Sequence, residues 1–197
     1  MRKLLTILSV LALCLAMAGG AWATLILDTG ANPMQPSYLM DYTLWLAGQF
    51  TTHQTWDILA MQGYIYTSAA GELEVAIFTD NGTGVPDMLL FSNDFMSQPD
   101  GTTAWQGTSG PSVLPAGTYW IAFTAPSGSS FLGGIGGANN APPTPMAYEA
   151  YGNPYPVWDS ATLNLGAMID AVPLPGAVWL LASGILGLAG LRRFRKL

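Results

Sequence analysis

The run Asp80-Asn81-Gly82-Thr83-Gly84-Val85-Pro86-Asp87 gathers side-chain oxygens into one short turn-like stretch. Carboxylate, amide and carbonyl oxygens grouped this way suit calcium, so Asp80, Asn81 and Asp87 form a candidate calcium site. The spacing departs from the EF-hand loop, and Asp-Asn-Gly is also the chemistry of a tight hairpin turn. A second group is aromatic: Tyr148, Tyr151, Tyr155 and Trp158. Such rings stack on sugar rings, which makes them a candidate glycan contact. The same rings can instead cover a core beneath a proline-rich loop. His53 is the sole histidine and lies near Asp57. Paired with a serine they would make a nucleophilic triad, but a lone histidine beside Thr51-Thr52 at a strand end reads as a surface residue. A glycosidase needs two carboxylates set across a sugar, and the spacing nominates no pair. No catalytic residue is assigned, and the chain is expected not to be an enzyme.

Charge excludes further chemistry. The segment Thr24–Ala171 contains all twelve Asp and Glu residues and none of the six Lys and Arg residues, so its net charge is near −12 against −6 for the whole chain. Nucleic-acid binding needs cations to displace counterions from phosphates, and this segment has none to offer. A P-loop and a Schiff-base enzyme each need a lysine. The single histidine excludes a histidine-rich metal site. The only cysteine, Cys14, lies near the N-terminus, so the segment has no disulfide and no thiol nucleophile. Apolar burial and hydrogen bonds must hold it together.

The elements that would position these residues read as strands. In Glu72–Thr79, Leu73, Val75 and Ile77 alternate with the two glutamates, the pattern of a half-buried strand. Gly117–Thr124 is rich in aromatic and β-branched residues. Trp45–Thr51, Trp56–Tyr66, Met88–Ser92 and Ala167–Asp170 are further candidates, separated by turn signals at Ala70-Gly71, Asp80-Asn81-Gly82, Pro99-Asp100-Gly101 and Pro115-Ala116-Gly117. Ser127–Pro156, rich in glycine, asparagine and proline, is expected to be irregular. The expected fold is all-β, an antiparallel β-sandwich or jelly roll.

The two ends differ from the middle. Met1-Arg2-Lys3 is basic, Leu4–Ala18 is apolar, and Ala21-Trp22-Ala23 has the small-x-small form read by signal peptidase. Cleavage there would start the mature chain at Thr24. A lipoprotein start at Cys14 is the rival, disfavoured by bulky Leu13. At the other end, Val172-Pro173-Leu174-Pro175-Gly176 leads into an apolar run ending at Leu191, followed by Arg192, Arg193, Phe194, Arg195, Lys196 and Leu197. From Val172 to Leu191 the run would span about 30 Å as a helix, the thickness of a bilayer core. The basic residues Arg192, Arg193, Arg195 and Lys196 should stay on the cytoplasmic side. Gly184, Gly187 and Gly190 weaken the helix. An ordinary permanent anchor is the plain alternative, and no Leu-Pro-x-Thr-Gly sortase motif is present.

The proline motif, the glycine-containing apolar run and the basic end together resemble the PEP-CTERM sorting signal of Gram-negative bacteria in its V-P-L-P form. That resemblance implies an exosortase-type processing enzyme, with release or attachment at the cell envelope and association with exopolysaccharide and biofilm. Trp45–Thr51, Val75–Gly82 with Pro86 and Leu89-Leu90, and Leu114–Trp120 are similar to a β-sandwich ectodomain common in proteins with that signal; it implies no activity. The expected organisation is a signal peptide at 1–23 with a signal helix, a β-sandwich ectodomain at 24–171, and a sorting signal with a transmembrane helix at 172–197. The expected role is that of an exported surface or matrix protein. A secreted carbohydrate- or calcium-binding module is the first alternative and a secreted hydrolase the second.

Overall fold

A computed structural model describes residues 22–32, 38–99, 101–139, 146–149, 158–161, 163 and 165–174, with 146–149 described as backbone. Ala23–Ala171 cluster as one compact unit. The segments expected to form a signal helix and a transmembrane helix lie outside the described residues, except for 172–174. Among the described residues no helix is long and apolar enough to cross a membrane.

The described chain is all-β. Twelve strands follow in order: β1 (Thr24–Asp28), β2 (Tyr38–Met40), β3 (Leu46–Thr52), β4 (Trp56–Ala69), β5 (Glu72–Asp80), β6 (Pro86–Met96), β7 (Thr103–Thr108), β8 (Gly117–Thr124), β9 (Leu132–Ile135), β10 (Met146–Glu149), β11 (Trp158–Ala161) and β12 (Ala167–Pro173). One sheet runs β1-β12-β4-β9-β2, with β7 also pairing with β4; the other runs β11-β10-β3-β8-β5-β6. The ladders are antiparallel.

The two sheets share one core. Met61, Ile65, Ile135 and Ile169 come from the first, and Val75, Ile77, Ile121 and Phe123 from the second. Each such buried side chain stabilises the fold by roughly 1.5–3 kcal/mol. The sheets touch closely at Gly63, where an added Cβ would lie 3.2 Å from the Phe123 ring and 3.0 Å from Ile135. These contacts make the unit sandwich-like.

Two expectations need correction. The segment Ser127–Pro156 is not irregular throughout, because β9 and β10 both fall within it. Glycine in β9 disguised the strand. It serves close approach, since a Cβ at Gly133 would stand 2.1 Å from the Tyr66 carbonyl oxygen and 2.5 Å from the Phe131 ring. Nor does β5 bury only one face. Leu73, Val75 and Ile77 face the shared core, while Ala76 and Phe78 join Ala47, Trp120 and Ala122 in a second, smaller cluster on the outside of the sheet. Trp45, Val85 and Trp158 close over that cluster.

Candidate functional site

Asp80 is the last residue of β5 and opens the acidic turn. Its Oδ1 accepts the Trp120 indole N–H at 2.8 Å and the Gln49 side-chain amide at 2.9 Å. Its Oδ2 accepts the Gly82 backbone N–H at 3.0 Å. One carboxylate thus joins β5 to β8 and β3 and also shapes the turn. Asn81 acts locally, its Oδ1 accepting the Thr83 backbone N–H at 3.0 Å and the Thr83 hydroxyl at 2.6 Å. Gly82 and Gly84 hold positive φ angles of 79° and 83°, which this turn reserves for glycine. Asp87 is exposed on β6. The Asp80–Gly82 and Asn81–Thr83 bonds are those of the tight-turn reading. Among the described residues no three His, Cys, Asp or Glu side chains gather closely enough to hold a metal ion.

The aromatic group is only partly described. Trp158 sits on β11 with its ring 5.4 Å from Phe78 and 6.5 Å from Trp45, in edge-on arrangements. It packs over the outer cluster, as the core-covering alternative requires. Its indole N–H is buried without a hydrogen-bond partner among the described residues. The Tyr148 backbone lies on β10, opposite Asp159 and Leu46. Tyr151 and Tyr155 lie outside the described residues.

His53 is exposed in the turn between β3 and β4 and shares no hydrogen bond with half-buried Asp57 among the described residues. With Trp56 it lines a cleft that sequence spacing did not reveal. On the outer face of the second sheet, Glu74 stands directly across from Asp94. Burial raises the Glu74 carboxyl above its ordinary value of 4.5; a hydrogen bond with Ser92 partly offsets this, and the Asp94 charge adds to the rise.

Of the residues expected to take part in processing, Ala23, Val172, Pro173 and Leu174 are described. Ala23 is exposed and precedes β1, whereas Ala21 lies outside the described residues. Val172 and Pro173 continue β12, and Leu174 follows it. Pro175, Gly176, Arg192, Arg193, Arg195 and Lys196 lie outside the described residues. No protein-family model matches the chain, and no curated protein matches it.

Proposed function

We propose that this chain is an exported, non-enzymatic surface or matrix protein of a Gram-negative cell envelope, processed at both ends. In this reading signal peptidase cuts after Ala23. The C-terminal helix then holds the precursor in the membrane until an exosortase-type enzyme acts at the Val172-Pro173-Leu174-Pro175-Gly176 motif. The mature product is the β-sandwich ectodomain, at the cell surface or in an exopolysaccharide matrix.

One observation carries the reading: Thr24 and Ala171 are register partners in the β1–β12 ladder. The proposed mature start and the residue before the sorting motif are neighbours at one end of the same sheet. Removal of residues 1–23 and of the C-terminal signal would take away no residue of β1 and only Val172 and Pro173 of β12. The extended path through Val172 and Pro173 also suits recognition, because an enzyme grips an extended segment more readily than a helical one, and a residue before proline disfavours helix.

Replacing Pro173 and Pro175 with alanine in the producing cell tests this proposal. Export should persist, while a longer, membrane-bound form accumulates on an immunoblot of membrane fractions. Maturation to the wild-type mass would leave an ordinary anchor or an unrelated protease as the explanation.

A further inference from the structure

Between β1 and the turn joining β3 to β4 lies a cleft of about 230 Å³. Leu25, Ile26 and Trp56 give it apolar wall, while Thr51, His53 and Gln54 bring polar groups. We infer that this cleft binds one ring of a neutral glycan. The inference adds a ligand class to the surface-protein reading, and its test is independent of processing.

Three observations fix the ligand class. The first is size: small-molecule pockets usually measure about 300–1,000 Å³, so this cleft suits a single ring and not an extended ligand. The second is the mixture of groups. Sugars present an apolar CH face, which an indole such as Trp56 can take, and an edge of hydroxyls, which amides and imidazoles can bond. His53 and Gln54 are exposed and have no hydrogen-bond partner among the described residues, so their donors and acceptors are free for a ligand. The Thr52 hydroxyl, by contrast, is occupied by the Pro115 carbonyl at 2.9 Å. The third is charge. Among the described residues no carboxylate lines the cleft, although Thr24–Ala171 holds all twelve. That segment also lacks Lys and Arg, so its field opposes acidic sugars. Cleavage before Thr24 would leave an α-ammonium on a residue of the same cleft, adding one more donor.

The test uses the full chain, purified in a detergent without a sugar headgroup, and saturation-transfer NMR. The probes are glucose, galactose and N-acetylglucosamine, their β-linked disaccharides, and glucuronate as the acidic comparison. At least one neutral probe should bind with a dissociation constant on the order of 1 mM, as a ligand this small allows. His53→Ala combined with Gln54→Ala should weaken binding at least about tenfold, the loss of two polar contacts. The melting temperature should stay unchanged, because both side chains are exposed and have no hydrogen-bond partner among the described residues. Gln54→Ala alone should give an intermediate loss at the same melting temperature. Absence of neutral-sugar binding, preference for glucuronate, or wild-type affinity in the double variant would each overturn the inference.

Discussion

Thr24 stands opposite Ala171 in the antiparallel ladder of β1 and β12. A strand pair therefore joins the first strand of the compact unit to its last residue, at the two borders where the proposed processing would fall. The pairing is secured inside the unit, where the Thr29 hydroxyl donates to the Leu165 carbonyl at 2.9 Å and accepts the Ala167 N–H at 2.8 Å. Thr29→Val should keep the shape of that side chain but leave the Ala167 N–H without its acceptor. A loss of about 1–3 kcal/mol is expected in urea unfolding, the range for an orphaned buried donor.

Asp80→Ala should cost about 1–3 kcal/mol in urea unfolding, because the buried Trp120 indole N–H loses its acceptor. Asp80→Asn, which keeps one carbonyl oxygen, should cost less. The same pair of proteins addresses calcium. Calcium should raise the melting temperature of the wild type no more than sodium at equal ionic strength. A calcium-specific rise that Asp80→Ala abolishes would instead support a site at Asp80, Asn81 and Asp87.

Glu74→Gln should stabilise the protein at neutral pH, chiefly by removing a half-buried charge and secondarily by relieving the like-charged pair with Asp94, a cross-strand effect of roughly 0.2–1 kcal/mol. The sign follows from the raised carboxyl value. The fold favours protonated Glu74, so wild-type stability falls as pH rises from 4.5 through the raised value. Below 4.5 both states carry the proton, and the advantage of the glutamine should vanish. Thermal melting of both proteins from pH 3.5 to pH 7 measures the difference.

Gly133→Ala should destabilise by about 1–3 kcal/mol, the cost of overpacking, because the new methyl would meet the backbone oxygen of Tyr66. Gly128→Ala meets open space, so its cost should be the backbone strain of its positive φ alone. Urea midpoints of the two variants compare the mechanisms.

Much of the architecture was legible because the central strands are strongly patterned. β8 coincides with the predicted Gly117–Thr124, since aromatic and β-branched residues mark a strand buried on both faces. β9 was hidden because Gly133 and Gly134 signal a loop, and only the neighbouring chain explains their use in a strand. The outer cluster was hidden for a related reason. Alternation in β5 shows what faces inward, but nothing local shows that Trp45 and Trp158 cover Phe78 from distant segments. The acidic turn was legible as a turn; the reach of Asp80 to Trp120, forty residues away, was not. The cleft was illegible because β1 meets the His53 turn only in three dimensions.

Mass spectrometry of the two ends of the protein recovered from the producing cell tests the central claim most directly. The account predicts a chain that begins at Thr24 and lacks the basic end from Arg192 to Leu197. A chain that begins with an acylated Cys14, or one that still ends at Leu197, would contradict it.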